Sequence, residues 1–163
     1  MKKLSSLLLL AVMLCATQCL HADEAAVKKA IVGKYQIYKE ALENANIDDL
    51  MAETTSDFTV KTTKGKIYNR AQFIESQRQL FEHISTVNKV EVRIHKCTVG
   101  NQRVLVSITT YVDFEVKDAQ GKSHRLTEET LSNDLWVPVQ GSWKCKRSEN
   151  LRTKATIDGK AIQ

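Results

Sequence analysis

Two stretches in the first half of the chain repeat their apolar residues at helical spacing. In the first stretch, residues 25–45, the apolar side chains recur every three or four positions: Val27, Ile31, Tyr35, Tyr38 and Leu42. Because an α-helix has about 3.6 residues per turn, this spacing predicts an amphipathic helix with one buried face. A second helix is predicted over residues 70–84, where Asn69 and Gln72 match the spacing of a capping box.

A short helix and a small hairpin are predicted between these two helices. Asn46 can cap a helix in "IDDLMAE", residues 47–53, whose aspartates stand in the first turn, where the helix dipole favours negative charge. The stretch "DFTVKTTKGKIYN", residues 57–69, then predicts a β-hairpin with Gly65 in its turn.

The second half of the chain alternates apolar and polar residues with a period of two. Three sets of apolar residues each share one strand face: Val90, Val92 and Ile94; Val104, Val106, Ile108, Val112 and Phe114; Leu131, Leu135 and Val137. The turn sequences "VGNQ", "DAQGK" and "VQGS" separate these runs. The alternation and the turns therefore predict that residues 88–154 form four antiparallel strands in a meander, with one face of the sheet toward the helices. Trp136 and Trp143 flank the last turn, where aromatic residues commonly stabilise a hairpin.

The first 22 residues have a different pattern. Lys2 and Lys3 precede an apolar run over residues 7–16, which predicts a secretory signal peptide cleaved after Ala22. The run is shorter than the roughly 20 apolar residues that a membrane-spanning helix needs. A lipoprotein signal is the alternative, but the residues before Cys15 and Cys19 do not fit its pattern. We therefore expect an exported protein, periplasmic or secreted, without a membrane segment after cleavage.

Residues 23–163 fit a single domain. They number 141, contain one proline and no Ser/Gly-rich linker or repeat, and suffice to bury a core. Removing Lys2 and Lys3 lowers the formal net charge from +5 to +3. The basic residues near the end are interrupted by Glu149 and Asp158 and have no interleaved aromatic platform, so no nucleic-acid partner is expected.

Cysteine and histidine positions bear on disulfides and metals. Cys97 and Cys145 fall on the first and fourth strands of the meander, about 14 Å apart at roughly 4.8 Å per strand. A disulfide needs Cα atoms within about 7 Å, so free thiols are expected unless the sheet curls. His95 and Cys97 stand two apart, but no recognisable spacing supplies further metal ligands. A Gly-rich phosphate loop is also absent, and we expect neither a metal nor a cofactor.

The order and spacing of these elements resemble a known superfamily. The segments "ALENANIDDL", "SDFTVKTTKGKIYNRAQFI" and "NDLWVPVQGSWK" are similar to the nuclear transport factor 2-like (NTF2-like) superfamily, in its SnoaL-like and DUF4440-type branches, and the likeness covers residues 25–154. The resemblance implies an α+β fold, a cystatin-like/NTF2-like half-barrel with N-terminal helices packed on a curved antiparallel four-strand meander plus a small hairpin. It also implies a cone-shaped pocket and homodimers through the outer sheet face. Many reactions occur on this fold, so it does not define a function.

The ketosteroid isomerase branch allows a test residue by residue. The resemblance places Tyr38 at the tyrosine donor of the oxyanion hole, Asn133 at the acid donor and Thr62 at the catalytic base. Tyrosine and asparagine can still donate hydrogen bonds, but a threonine hydroxyl cannot abstract a proton near neutral pH. The resemblance therefore implies a pocket that binds and polarises a ligand. Its expected ligand-binding residues are Tyr38, Thr62, Ile108, Glu129, Leu131 and Asn133.

Three functions follow from this interpretation. The first is an exported protein that binds a small, largely apolar ligand without catalysis. The second is a lyase, isomerase or hydrolase that uses Glu129 or another pocket acid, since Glu129 shares strand parity with Leu131 and Asn133. The third is a dimeric structural or interaction module that uses an outer sheet face carrying Tyr111, Trp136 and Trp143.

Overall fold

The computed structural model describes residues 23–162. The predicted signal peptide, residues 1–22, lies outside this range. The helices are α1 (Glu24–Glu43), α2 (Ile47–Ala52) and α3 (Arg70–His83). The strands are β1 (Thr54–Lys61), β2 (Ile67–Asn69), β3 (Ile84–Gly100), β4 (Arg103–Lys117), β5 (Ser123–Val139), β6 (Ser142–Ile157) and β7 (Lys160–Ile162). No helix in this range is long and apolar enough to cross a membrane.

Each helix begins at a residue whose side chain accepts a hydrogen bond from the first turn. Asp23 accepts from the N–H of Ala25 at 3.0 Å, and Asn46 accepts from two N–H groups of α2. Asn69 and Gln72 form the complete capping box, with each side chain accepting from the other residue's backbone N–H. The predicted caps of α2 and α3 are confirmed.

The strands form one mixed sheet that curves around α1. The order is β2-β1-β6-β5-β4-β3, and β7 pairs with the far end of β6. The predicted meander of β3, β4, β5 and β6 is confirmed, as is the β1–β2 hairpin. Register shifts in the β3–β4 and β5–β6 pairs mark bulges, which bend strands and increase their twist. The curved sheet is not closed into a barrel, because β2 and β3 form its two edges and do not pair with each other.

Two pairings were not predicted. β1 lies parallel to β6, and the N–H of Cys145 donates to the carbonyl of Glu53 at 2.8 Å beside this junction. β7 folds back on β6 through a turn in which Asp158 and Gly159 both have positive φ, the geometry of a tight hairpin. The Asp-Gly pair is a strong local turn signal, so β7 could have been predicted; the parallel pairing has no local signal.

The core consists of two clusters along α1. One surrounds Ile31, which is 0% exposed, and includes Val104, Val106 and Trp136. The other surrounds Leu42 and includes Phe114. The predicted inward face of β4 is confirmed, because its core residues belong to these clusters.

The predicted facing of β5 is wrong by one residue. Ser132, Asp134 and Trp136 are buried, whereas Leu131, Leu135 and Val137 face away from α1. Two other predicted pocket residues on β5, Glu129 and Asn133, share the parity of Leu131 and also face outward. Trp136, at 3% exposed, lies in the core and not on the outer face. The reason is that β5 has apolar residues on its outer face, so its alternation assigned the wrong side to the core.

Cys97 and Cys145 are free thiols. They lie on β3 and β6, with β4 and β5 between them in the sheet. Cys145 is buried, and burial raises the pKa of its thiol, so it stays protonated and behaves as a core residue.

His124 connects two turns at one end of the sheet. Its Nδ1 is 2.8 Å from Oδ2 of Asp158 in the β6–β7 turn, and its Nε2 is 3.1 Å from Oδ2 of Asp118 in the β4–β5 turn. The hydrogen bonds to Asp158 and Asp118 raise the pKa of His124, against the opposing charge of Lys122. The protonated ring therefore holds the two turns together.

Replacing His124 by glutamine is expected to destabilise the protein in acid and to have a smaller effect in base. Because the folded pKa of His124 lies above its unfolded value, its contribution is complete below the usual pKa of about 6.5 and is lost as pH rises through the folded pKa. Urea unfolding at about pH 5.5 and about pH 8.5 measures this difference. His95→Gln is the control, since His95 contacts only the hydroxyl of Thr109. A pH-independent effect of His124→Gln would contradict the assignment.

Candidate functional site

A cavity of about 230 Å³ lies between the helices and the inner face of the sheet. For comparison, an apolar cavity of about 150 Å³ can hold benzene. Most of the apolar part of its wall comes from α1, α2, α3, β1 and β4: Leu42, Leu50, Phe58, Phe73, Leu80, Phe81, Ile108 and Phe114. The apolar side of α3 thus faces the cavity, which explains why none of its residues is fully buried.

Two elements, α1 and β5, supply much of the polar part of the wall. α1 presents Tyr35 and Tyr38, which are three residues apart and so lie on one helix face. β5 presents every second residue from Glu128 to Trp136, because alternate residues of a strand share a face. The inner face of β5 therefore has four polar side chains, at every second residue from Glu128 to Asp134, followed by the apolar side chain of Trp136.

A hydrogen-bonded chain is centred on Asp134, which is 6% exposed. The Nε1–H of Trp136 donates to the hydroxyl of Tyr35 at 3.0 Å, and this hydroxyl donates to Oδ2 of Asp134 at 2.7 Å. The hydroxyls of Ser148 and Ser132 donate to Oδ1 of Asp134 at 2.7 and 3.3 Å. Both carboxyl oxygens of Asp134 are therefore occupied by protein donors.

Burial controls the protonation of this group. Desolvation raises the pKa of Asp134, and the donors Ser148, Tyr35 and Ser132 oppose the shift only in part. Burial and the nearby charge of Asp134 raise the pKa of Tyr35, and burial raises the pKa of Tyr38. Both tyrosines thus keep their protons near neutral pH and can act as hydrogen-bond donors but not as bases.

The charge of the cavity wall is of one sign. No lysine, arginine or histidine is among the described residues that line it, whereas Asp49, Glu53, Glu128 and Asp134 do. Glu53 is neutralised by Lys34 at 2.6 Å and by Lys144 at 3.2 Å. Burial alone would raise the pKa of Glu53, but the two lysines together lower it. The wall therefore suits neutral or cationic groups better than anions.

Only two of the six predicted pocket residues, Tyr38 and Ile108, line the cavity. Thr62 lies in the β1–β2 turn, where its backbone N–H donates to the carbonyl of Lys66. Glu129 lies instead in a charged groove on the outer face, and Leu131 and Asn133 share its parity. A ligand role for any of the six stays a prediction.

Sequence reasoning missed Tyr35, Glu128 and Asp134. Tyr35 was assigned to the buried face of α1 but not to the site. Glu128 and Asp134 have the parity of Trp136, so the large aromatic residue of β5 was the signal that could have identified the inner face.

Metal ligation finds no support in residues 23–162, where no group of three or more His, Cys, Asp and Glu side chains is arranged to hold an ion. His95 and Cys97, the pair considered from the sequence, lie on β3 outside the cavity wall.

No family model and no curated protein matches the sequence. Among solved structures, an NTF2-like protein from Cytophaga hutchinsonii has a TM-score of 0.58 at 14% identity and covers 83% of this chain and 98% of its own. A Nostoc punctiforme domain of unknown function with a cystatin-like fold has a TM-score of 0.59 at 14% identity, covering 77% and 76%. The chain has the NTF2-like fold.

A third match is a candidate scytalone dehydratase from Novosphingobium aromaticivorans. Its TM-score is 0.65 at 17% identity, and it covers 79% of this chain and 87% of its own. Identities this low show the fold alone, which confirms the predicted α+β half-barrel and the resemblance at the level of the superfamily fold. The SnoaL-like or DUF4440-type branch stays a prediction.

Proposed function

We propose that this chain binds a small, largely apolar molecule in the cavity between α1, α3 and the sheet. The observation that supports the proposal is a cavity of about 230 Å³ whose walls are mostly apolar, with a buried polar cluster around Asp134. Apolar walls supply affinity and a few placed polar groups orient the ligand, which is the usual composition of a small-molecule site. Tyr38 and Thr110 are further hydrogen-bonding groups on the same wall.

An acid–base enzyme is the second candidate. The sequence predicts Thr62 at the base position and Glu129 or another pocket acid as the catalytic alternative; the acids on the cavity wall include Asp134 and Glu128. A buried carboxyl group with a raised pKa is typical of catalytic sites. However, Oδ1 of Asp134 accepts from Ser132 and Ser148 and Oδ2 accepts from Tyr35, so protein donors already use about three of the four acceptor sites of this carboxyl group. A general base needs an acceptor site within reach of its substrate. The geometry therefore supports binding better than catalysis.

Export and dimerisation stay predictions. Export depends on residues 1–22, which lie outside the described range. The outer sheet face remains the predicted dimer surface and exposes Leu105, which lies opposite Leu135 in the β4–β5 register. Tyr111 lies on this face as predicted, in the groove with Glu129.

Filling the cavity with a larger side chain is expected to weaken binding. Thr110 lines the cavity, whereas Thr109, the preceding residue of β4, faces the opposite side, where it contacts His95. Isothermal titration calorimetry with naphthylmethanol and decanol should show binding to the wild type, and Thr110→Trp should weaken it at least about tenfold. Thr109→Trp is the matched control and should bind as the wild type does. Failure of both alcohols to bind, or equal losses in the two variants, would count against the proposal.

A further inference from the structure

The cavity wall differs in charge from the rest of the chain. The protein has 24 lysines and arginines against 19 acidic residues, yet the described residues of the wall include no basic side chain and four acidic ones. Of these, Glu53 is paired with two lysines. Asp49 accepts from the side chain of Asn46 near the start of α2, and Asp134 accepts from three hydroxyls. Glu128 needs a separate explanation.

Glu128 is a half-buried carboxyl group on the inner face of β5. Its Oε1 accepts from the hydroxyl of Thr130 at 2.8 Å, and no cation of the described chain pairs with it. Its cross-strand neighbours are Val112 on β4 and Ala155 on β6, so the wall around it is apolar.

The next residue of β5 shows how an acid on this strand is otherwise compensated. Glu129 faces outward, lies opposite Lys154 in the register and is 3.5 Å from the guanidinium of Arg152. The two glutamates therefore occupy the same strand at the same level of the sheet, one with cationic neighbours and one facing the cavity without them.

This difference sets the charge class of the ligand. A carboxylate at an apolar wall loses water when a ligand enters, and only a positively charged or strongly donating group replaces the lost hydrogen bonds. An anionic ligand would meet Glu128 without any basic side chain of the wall to offset the repulsion.

We propose that the ligand of this cavity is an apolar amine whose ammonium group binds Glu128, and this inference rests on the proposed function of the cavity. The hydrocarbon part of the amine packs against the aromatic and aliphatic walls, among them Phe81 and Leu126. Thr130 holds the Glu128 carboxylate in place through its hydroxyl. The ammonium group donates to the carboxylate, and no covalent step is involved.

Three probes of one shape and different charge test the inference: naphthylmethylamine, naphthylmethanol and naphthoic acid. Calorimetric titration of the wild type near neutral pH should give the order amine, alcohol, acid, with the amine at least about tenfold tighter than the alcohol, as expected for a charge-assisted hydrogen bond. Glu128→Gln should lower amine affinity to that of the alcohol and leave alcohol affinity unchanged. Glu129→Gln removes the same charge from the outer face and should preserve the amine preference.

The outcomes separate this inference from the proposed function. If the alcohol binds and the amine binds no tighter, or if the preference survives Glu128→Gln, the amine class is wrong while the binding site stands. If the acid binds best, the charge argument fails outright. If none of the three probes binds, the proposed function and this inference both fall. The order of the probes on the wild type needs no variant to fold, and circular dichroism checks the two glutamine variants.

Discussion

Replacing Tyr35 by phenylalanine is expected to destabilise the protein by about 2–4 kcal/mol, since each buried polar group left without its partner costs about 1–3 kcal/mol. The hydroxyl of Tyr35 accepts from Nε1 of Trp136 at 3.0 Å and donates to Asp134 at 2.7 Å. All three residues are buried, so the indole N–H and the carboxyl group that lose their partner have little access to bulk water. Urea unfolding near neutral pH gives the free energy of unfolding, and an unchanged m-value shows that the same surface is exposed.

Tyr38→Phe is the matched control for this substitution. Tyr38 lies one turn further along α1 and also lines the cavity, but it takes no part in the chain from Trp136 to Asp134. Tyr38→Phe should therefore lower the free energy of unfolding by less than half as much as Tyr35→Phe does. Equal destabilisation by Tyr35→Phe and Tyr38→Phe would mean that the hydrogen bonds from Trp136 through Tyr35 to Asp134 do not stabilise the fold.

The helices and the meander could be predicted because their signals are local. Asn46 and Asn69 each act within three residues of their own position, and the alternation of β4 repeats over its whole length. The parallel pairing of β1 with β6 joins residues about 90 positions apart, such as Thr54 and Cys145, and nothing in either segment specifies the partner. It is this pairing that converts a meander and a hairpin into one mixed sheet.

The site was predicted less well because the cavity requires polar residues on an inner face. On β5 the inner positions include Ser132 and Asp134, and the outer positions include Leu131 and Leu135. Alternation assigns the apolar set to the core, so a strand that lines a polar part of a cavity is assigned the wrong way round. β4 has an apolar inner face, so alternation correctly predicts that Ile108 lines the cavity.

Asp134→Asn is expected to change how stability depends on pH. Burial raises the folded pKa of Asp134 above the unfolded value of about 3.9. At a pH between the unfolded and the folded pKa, the carboxyl group keeps its proton in the folded state and has lost it in the unfolded state. The free energy of unfolding of the wild type therefore falls as pH rises through this range, by about 1.4 kcal/mol for each pH unit between the two pKa values. Asparagine does not titrate, so the free energy of unfolding of the variant does not fall in this pH range for this reason. Urea unfolding from about pH 4 to about pH 8 should show a destabilisation that shrinks or reverses as pH rises.

Asp113→Asn provides a control of opposite sign. Asp113 is also buried, at 4% exposed, but it faces the outer side of β4 and accepts two hydrogen bonds from Arg125, at 3.0 and 2.6 Å. These bonds lower the pKa of Asp113, so its contribution is present above the unfolded pKa and is lost as pH falls through the folded one. The penalty of Asp113→Asn should therefore grow as pH rises toward the unfolded pKa of about 3.9 and stay constant above it, which unfolding extended down to about pH 2.5 measures. The penalty of Asp134→Asn should instead shrink above about pH 3.9. Parallel pH profiles for the two variants would mean that the folded protein does not favour the protonated form of Asp134, and that the Asp134 carboxyl group adds a negative charge to the cavity wall.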